Sequence, residues 1–260
     1  MVVAKKRFGQ NFLIDPKKAA KLIDTLLISD GEAVIEIGAG TGILTEKLLA
    51  CGADLIAVEI DRDLARKLEE RFGAIKRFRL VEDDIIDVDP SRFKSSGLKV
   101  IGNLPYNISG AVVEWLIDFS EFINLAVITV QKEVADRLRA GPGSRNYGSL
   151  SVLAQSFFNI RRAFDIPPGC FSPRPRVMST VLRFEPDRKL NDEIPFPKFK
   201  DFVRGCFAQK RKKLVNSLAA SLGKDKHAIE KALAALGRGN SSRAEELTLN
   251  EFFSLYRMMA

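Results

Sequence analysis

The chain has 260 residues, of which 46% are hydrophobic, which is enough for one large domain with a substantial core and a smaller second domain. Its net charge of +8 favours a polyanionic partner, either nucleic acid or an anionic membrane. Three widely separated cysteines and a single histidine argue against a disulfide framework, a paired-cysteine zinc site and a His-based catalytic dyad, and are typical of a reduced, cytoplasmic protein.

The first 14 residues are basic and then aromatic. Lys5, Lys6 and Arg7 are followed by Phe8-Gly9-Gln10-Asn11-Phe12 and not by a long apolar run, so the pattern does not predict a signal peptide or a membrane span. Because exposing these aromatic residues to water is unfavourable, we expect the arm to pack onto the domain. Asp15-Pro16 predicts a helix start, with Asp at the N-cap and Pro at the first helical position.

The next segment predicts a strand, a glycine-rich turn and a helix. The strand is Ala33–Ile37, the turn is Gly38-Ala39-Gly40-Thr41-Gly42, and the helix begins at Ile43. Glycines allow a sharp turn and let a ligand approach the backbone closely. Amides at a helix start favour an anion or a carboxylate. This pattern therefore predicts a ligand site at the carboxyl end of the first strand of an α/β sheet.

Acidic residues follow the next two predicted strands. Glu59 ends the strand that begins at Asp54, where an acid holds a ribose diol in nucleotide-binding α/β folds. Asp84, beside the apolar Ile85, follows the strand Phe78–Val81 and is placed to accept a hydrogen bond from an adenine amine. The G-x-G-x-G spacing with Glu59 fits S-adenosylmethionine better than NAD, because the former lacks a pyrophosphate.

The most informative stretch is Asn103-Leu104-Pro105-Tyr106, which follows the apolar strand Leu98–Ile101. Proline forces Leu104 into an extended conformation, so the turn is stiff. It lies at the carboxyl end of a strand, where open α/β sheets place their ligands. The Asn103 side-chain carbonyl and the Leu104 backbone carbonyl are acceptors, and Tyr106 offers a flat ring. This combination suits an exocyclic amine on a planar base.

The rest of the chain completes a sheet and then becomes helical. Strands are predicted over 125–130, 160–164 and 177–184, and the glycine-rich segment 141–148 is predicted to be a flexible loop, a candidate lid or RNA contact. The composition changes near residue 188. We therefore expect an α/β domain with a basic N-terminal arm over 1–188, and a small all-helical domain over 189–260. Four helices are predicted there from apolar spacing at 199–207, 214–222, 229–236 and 249–256.

Seven motifs in order resemble the ribosomal RNA adenine N6-dimethyltransferase family, the small-subunit 16S enzymes and their relatives. They run through nearly the whole chain: Phe8-Gly9-Gln10-Asn11-Phe12-Leu13, Glu36-Ile37-Gly38-Ala39-Gly40-Thr41-Gly42, Val58-Glu59-Ile60-Asp61, Gly102-Asn103-Leu104-Pro105-Tyr106-Asn107, Val130-Gln131-Lys132-Glu133-Val134-Ala135, Phe171-Ser172-Pro173-Arg174-Pro175-Arg176-Val177 and Arg211-Lys212-Lys213-Leu214. The chain has Met178 where the family usually has an acid, and Arg176 where lysine is common.

The resemblance implies a Rossmann-like methyltransferase domain over 1–188 and a small all-helical RNA-binding domain over 189–260. It also implies transfer of methyl groups from S-adenosylmethionine to N6 of two adjacent adenosines in a hairpin near the 3′ end of 16S rRNA, during small-subunit biogenesis. The expected cofactor residues are Asn11, Leu13, Gly38, Gly40, Glu59, Ile60, Asp84, Ile85 and Asn103. In the expected mechanism, Asn103 Oδ1 and the Leu104 carbonyl accept hydrogen bonds from the amine, while Tyr106 stacks on the base and Phe171 is a second stacking face. No metal is expected.

Basic clusters are expected to contact RNA phosphates. The residues are Lys5, Lys6, Arg7, Arg174, Arg176, Lys210, Arg211, Lys212 and Lys213. The expected partner is 16S rRNA or the assembling 30S subunit, with the protein acting as a monomer and away from membranes.

Two alternatives remain open. One is a relative that methylates large-subunit rRNA, and another is a non-catalytic nucleic-acid-binding factor on the same scaffold. The non-catalytic alternative is disfavoured because the motifs expected for catalysis are intact, namely the glycine-rich turn, Glu59 and Asn103–Tyr106. A DNA adenine methyltransferase is disfavoured: these enzymes share the Asn-x-Pro-Tyr motif but usually carry a separate DNA-recognition domain, which the sequence pattern does not predict here. An NAD oxidoreductase is disfavoured by the glycine spacing.

Overall fold

The computed structural model describes residues 9–93, 97–190, 193–209 and 212–260. The chain divides into two compact units. The first contains the chain up to Ala135 together with Asn159–Pro186, and the second contains Asp136–Phe158 together with Asp187–Ala260. The chain passes into the second unit at 186/187, close to the predicted change near 188. Residues 136–158 also belong to the second unit, which a single boundary does not capture.

Within the described residues, seven strands of the first unit form one sheet. In chain order they are β2 (Ala33–Ile37), β3 (Asp54–Val58), β4 (Phe78–Val81), β5 (Leu98–Asn103), β6 (Ile123–Gln131), β7 (Phe158–Ile166) and β9 (Ser179–Pro186). Their order across the sheet is β4-β3-β2-β5-β6-β9-β7. Strands β2 to β6 pair in parallel, and β9 is antiparallel to β6. The predicted Rossmann-like α/β fold class is confirmed.

Helices connect the parallel strands, as their apolar spacing predicts. The connecting helices are α2 (Ile43–Ala50), α3 (Arg62–Phe72) and α4 (Ser109–Asp118), whereas α1 (Pro16–Leu26) precedes β2 and α5 (Lys132–Leu138) follows β6. Asp15 caps α1 by accepting from the amides of Lys17 and Lys18, and Pro16 is its first residue, which confirms the predicted start. Helices α1 and α3 bury their apolar faces, including Leu22 and Leu26 of α1 and Leu64 and Leu68 of α3, in the core.

The chain reverses direction across the sheet at one point. From β2 it proceeds outward to β3 and β4, and it then returns to β5 on the other side of β2. Because parallel crossovers are right-handed, α2 and α3 cover one face and α4 the other. A crevice opens between the carboxyl ends of β2 and β5, where Ile37 is in register with Gly102. Open α/β sheets bind their ligands at such a switch point.

The N-terminal arm packs onto the first unit through a small sheet that the hydrophobic pattern did not predict. Strand β1 (Phe12–Leu13) pairs antiparallel with β8 (Phe171–Ser172), with Leu13 opposite Phe171. The amide of Ile14 donates to the Cys170 carbonyl at 2.9 Å and extends the pairing. The described part of the arm is therefore attached to the first unit, as we expected; Phe8 lies outside the described residues.

The second unit is helical. Its described helices are α6 (Ser149–Gln155), α7 (Phe196–Phe207), α8 (Leu214–Leu222), α9 (Lys226–Ala235) and α10 (Leu249–Met259). The four predicted C-terminal helices are confirmed. Aromatic rings form its core, with Phe199 near both Phe253 and Tyr256 at centroid distances of 5.3 and 5.7 Å.

The glycine-rich segment 141–148 makes contacts within its own unit. Tyr147 is only 6% exposed and meets the edge of the Phe207 ring at 6.1 Å. The amide of Gly143 donates to the Glu245 carbonyl at 2.7 Å. The segment is therefore attached to its own unit at Gly143 and Tyr147, while residues 142–146 are exposed, and its role as a lid or RNA contact stays a prediction.

Candidate active site

The crevice at the switch point is a pocket assembled from four loops of the first unit. These are the arm before β1 and the turns after β2, β3 and β5, and the segment after β4 closes one side. The lining residues are Gln10, Asn11, Phe12, Ile37, Gly38, Gly40, Val58, Glu59, Ile60, Asp83, Asp84, Ile85, Asn103, Pro105, Asn107 and Ile108. The structure brings together eight of the nine residues predicted for the cofactor, the exception being Leu13.

Glu59 is the central acid of this pocket. It follows β3 directly and is 4% exposed. The amide of Gly40 donates to its Oε2 at 2.8 Å, and the amide of Asp61 donates to its Oε1 at 2.9 Å. Burial raises the pKa of Glu59, and the two amide donors oppose that rise. Each carboxylate oxygen keeps a lone pair, so Glu59 can accept from two further hydroxyl groups, as a ribose diol requires.

The glycine-rich turn leaves its backbone open to a ligand. Gly38 has a φ of +67° and is exposed, and a Cβ built on it would meet nothing within 4 Å. A side chain there would occupy the space above the turn and strain the backbone. Gly40 has a φ of +59°, and a Cβ on it would lie 3.2 Å from the Phe12 ring, so the arm packs directly on this turn.

The acid after β4 lies at the far side of the same pocket. Asp84 Oδ1 accepts from the amide of Ile86 at 3.2 Å and caps a short 3₁₀ turn. Ile85 is buried beside it, whereas Ile60 is 44% exposed at the pocket wall. Two isoleucines and a carboxylate fit a flat, apolar ring that carries an amine donor, such as adenine.

Asn103 ends β5, and its amide orientation is determined by the arm. Its Nδ2 donates to the Asn11 carbonyl at 2.9 Å. An oxygen in that place would face another oxygen, so the amide nitrogen must occupy it. Among the described residues, Oδ1 then has no hydrogen-bond donor. The amide therefore presents an acceptor to the pocket.

Leu104 and Tyr106 hold the turn in place. The Leu104 amide donates to the Thr129 carbonyl at 3.2 Å, and its side chain is buried. Tyr106 is half-buried, and its hydroxyl is hydrogen-bonded to Ser179 Oγ at 2.8 Å. Burial raises the pKa of Tyr106 above its ordinary value. The phenol therefore stays neutral. Leu104 and Tyr106 follow Asn103 closely in the chain but do not line the pocket themselves.

Two residues expected in the site lie in the core. Leu13 is 2% exposed and Phe171 is 3% exposed, and they face each other across β1 and β8. Both belong to the core cluster of the first unit. Leu13 thus supports the arm from behind the pocket. Stacking of Phe171 on a base would require its ring to leave this core.

The predicted RNA-contacting residues fall into two groups. Lys5, Lys6, Arg7, Lys210 and Arg211 lie outside the described residues. Arg174 and Arg176 are exposed on the segment between β8 and β9, in the first unit. Lys212 and Lys213 are exposed before α8, in the second unit.

Several pocket residues were not singled out from the sequence. Gln10 and Phe12 come from the arm, and Asn107 and Ile108 follow the Tyr106 turn. The sequence contains a signal for them, because they lie inside or beside the motifs Phe8–Leu13 and Gly102–Asn107. Gln10 Nε2 donates to Asp61 Oδ2 at 3.3 Å, which ties the arm to the loop after β3.

The described residues contain no group of three or more His, Cys, Asp or Glu side chains arranged to hold a metal ion. A search of the same residues finds no helix with the length and apolar character needed to cross a bilayer.

Comparison with known proteins agrees with this geometry. The family described as ribosomal RNA adenine dimethylase matches residues 1–260. A protein of Acidobacterium capsulatum named ribosomal RNA small subunit methyltransferase A is 42% identical over 98% of this chain and 91% of its own length. A protein of the same name from Methylococcus capsulatus is 38% identical over 99% of this chain and 98% of its own length.

Solved structures share the fold. A dimethyladenosine transferase from Plasmodium falciparum superposes with a TM-score of 0.77 at 25% identity, covering 94% of this chain and 95% of its own. The 23S rRNA methyltransferase ErmE gives a TM-score of 0.71 at 24% identity, covering 96% and 99%; at that identity the likeness concerns the fold alone. The whole-chain family match and the two relatives together show that this chain belongs to the ribosomal RNA adenine dimethylase family.

Proposed function

We propose that this protein transfers methyl groups from S-adenosylmethionine to N6 of two adjacent adenosines in a hairpin near the 3′ end of 16S rRNA. The observation that carries the proposal is the orientation of Asn103. Its amide nitrogen is engaged by Asn11, so its oxygen is left as an acceptor in the crevice that also holds Glu59 and Gly38.

The pocket residues fit S-adenosylmethionine by their donor chemistry. Glu59 can accept from both ribose hydroxyls, and Asp84 with Ile60 and Ile85 can hold the adenine. The open backbone at Gly38 leaves room for the amino-acid part. When bound, the cofactor supplies an electrophilic methyl group on a sulfonium sulfur, so reactivity need not come from a side chain.

What the protein must supply is activation of a poor nucleophile. The lone pair of an adenine amine is delocalised into the ring. Asn103 Oδ1 and the Leu104 carbonyl would each accept one N–H bond and favour a pyramidal nitrogen with a localised lone pair. Acceptors that are already in place when positive charge develops act by electrostatic preorganisation, and holding the base in line adds a proximity effect.

A second methyl transfer adds a requirement. After the first transfer one N–H bond is gone, so one acceptor remains engaged while a methyl group must be accommodated. Pro105 and Ile108, which line the pocket beside Asn103, would provide apolar surface for it. Tyr106 would stack on the base once it has turned out of the RNA.

The RNA is expected to be held through its phosphates. The exposed Arg174 and Arg176 are our candidates in the first unit, and Lys212 and Lys213 in the second. The neighbouring Lys210 and Arg211 and the arm residues Lys5, Lys6 and Arg7 remain predictions. The small-subunit names of the relatives favour 16S over large-subunit rRNA. We expect the activity in the cytoplasm, because the proposed substrate is an assembling ribosomal subunit.

The test is Asn103→Ala, with 30S particles that lack the modification and radiolabelled S-adenosylmethionine. We expect turnover to fall at least about 100-fold, because one acceptor for the reacting amine is lost. Calorimetry should show a much smaller change in cofactor affinity. Nuclease digestion of wild-type product should yield N6,N6-dimethyladenosine.

The matched control is Asn124→Ala, which removes an exposed asparagine from β6 and should keep wild-type turnover. Unchanged turnover in Asn103→Ala would remove Asn103 from the mechanism. With wild-type protein, label in a nucleoside other than N6,N6-dimethyladenosine and its intermediate N6-methyladenosine would contradict the proposed reaction.

A further inference from the structure

We infer that Ser179 is a positioning residue, which holds the Tyr106 ring in the orientation needed to stack on the target base. The inference rests on the proposed function and adds to it a residue on a distant strand. Ser179 lies 73 residues after Tyr106 and outside the pocket lining.

The contact is a single hydrogen bond between two hydroxyl groups, 2.8 Å apart. Ser179 is fully buried, and among the described residues Tyr106 is the one partner of its hydroxyl. Removing either hydroxyl would leave the other without this hydrogen-bond partner. Buried hydroxyls left in this way are unfavourable, so the pair strongly prefers to stay together.

Ser179 is well suited to be an anchor because its surroundings are constrained. It is the first residue of β9, which lies between β6 and β7, and it is in register with Gln131. The carbonyl of the preceding Met178 accepts from the Lys132 amide at 3.0 Å. The following Thr180 donates its hydroxyl to Asp165 Oδ1 at 2.8 Å, on the opposite face of the strand.

Tyr106, in contrast, belongs to a turn rather than to the sheet. Pro105 and the Leu104 amide fix the backbone of this turn, but neither fixes the side-chain torsions of Tyr106. A ring that swings freely must be ordered each time a base stacks on it, at an entropic cost. The bond to Ser179 removes that cost in advance, as preorganisation of a binding surface does.

The same bond assigns the hydroxyl a structural role. Because it is tied to Ser179 and neutral, the phenol is poorly placed to exchange protons with substrate. The segment that carries Arg174 and Arg176 runs directly into Ser179, so one short stretch of chain holds both the candidate phosphate contacts and the anchor of the ring.

The experiment uses the full chain and an RNA hairpin that carries 2-aminopurine at the methylated position. The stacked fraction of the bound base is measured by fluorescence lifetime. Methylation of the unmodified hairpin in 30S particles is measured in parallel. The variants are Ser179→Ala, Tyr106→Phe and their combination, with Thr180→Val as the matched control, since it removes a hydrogen bond of equal length from the next residue of β9.

We expect Ser179→Ala and Tyr106→Phe each to lower the stacked fraction and to lower kcat/KM for RNA about fivefold, the effect of one net hydrogen bond. The combined variant should be no worse than either single one. KM for S-adenosylmethionine should not change, and Thr180→Val should match wild type in stacking even if its melting temperature falls.

Additive losses, about 25-fold in the combined variant, would overturn the inference, as would a wild-type stacked fraction in Tyr106→Phe. Tyr106→Phe keeps Ser179 in place, so the test survives if Ser179→Ala does not fold. If wild-type protein fails to methylate adenosine, the proposed function is wrong; if it methylates but Ser179 and Tyr106 do not couple, the positioning role alone is wrong.

Discussion

Glu36 is a carboxyl group in the interior of the sheet. It lies on β2 and is 1% exposed. Its Oε2 accepts from the Thr45 hydroxyl of α2 at 2.7 Å. Burial raises the pKa of Glu36 to about 8, the Thr45 bond opposes this, and the nearby Glu59 carboxylate adds to it. At neutral pH the protonated form of Glu36 therefore predominates in the folded state.

This raised pKa makes stability depend on pH. Between about pH 4.5 and 8 the folded state holds a proton on Glu36 that the unfolded state has lost. The contribution of Glu36 to stability is thus fully present below about 4.5 and is lost as the pH rises through about 8. We expect the unfolding free energy of wild type to fall relative to that of Glu36→Gln over this range, measured by urea denaturation at several pH values.

The control for this comparison is Glu70→Gln, which makes the same change at an exposed position of α3. It should follow the wild-type pH profile throughout. A Glu36→Gln profile parallel to wild type would mean that Glu36 is ionised in the folded protein.

Among the secondary-structure elements, α10 has a complete capping arrangement. Thr248 is its N-cap and accepts from the Glu251 amide, while Glu251 Oε2 accepts from the Thr248 amide at 2.7 Å. Arg238, which follows α9, binds the same carboxylate through two nitrogens at 2.7 and 2.9 Å. This paired guanidinium, with the Thr248 bonds, lowers the pKa of Glu251 to about 2.

We expect Glu251→Ala to lower the unfolding free energy by about 2 kcal/mol, because a cap and a bidentate ion pair are lost together. The pKa of Glu251 is lowered in the folded state, so this contribution is present above about pH 4.5 and is lost as the pH falls toward 2. Denaturation at pH 7 and pH 3 measures both. Asp201→Ala, an exposed acid on α7 in the same unit, should change little; an equal loss in both variants would refute the capping role.

For the whole molecule, the net charge of +8 predicts that RNA binding weakens steeply with salt. Arg174→Ala with Arg176→Ala should weaken binding to the 16S hairpin. It should also lower the slope of log affinity against log salt by about 2, since each lost phosphate contact removes about 0.9. Filter binding from low to high salt measures this slope.

The comparison variant is Lys67→Ala with Lys76→Ala, which removes the same charge from exposed positions of the first unit. It should leave the slope near that of wild type. Equal slopes in both double variants would mean that the two arginines act through net charge alone.

Local patterns in the sequence were sufficient for most of the fold. The segment 33–50 could be predicted as a strand, a glycine-rich turn and a helix. These elements depend on hydrophobic periodicity and on the conformational freedom of glycine, and both act within a few residues of the chain. The turn at Asn103–Tyr106 depends on Pro105, again a local constraint. Because ligands bind at the carboxyl ends of the strands of an open α/β sheet, Gly38, Glu59, Asp84 and Asn103 could be expected in one site, and the family resemblance added Asn11. The structure brings all five to one pocket.

The tertiary structure alone decided the contacts between residues that are far apart in the chain. Asn11 orients Asn103 across 92 residues, and Ser179 reaches Tyr106 across 73. No periodicity encodes such pairs, because each depends on how strands and loops are placed in three dimensions. Burial of Phe171 against Leu13, and of Tyr147 within the second unit, is of the same kind. The sequence by itself determined which chemical groups are available and the elements that carry them, whereas packing between distant segments decided their orientation and exposure.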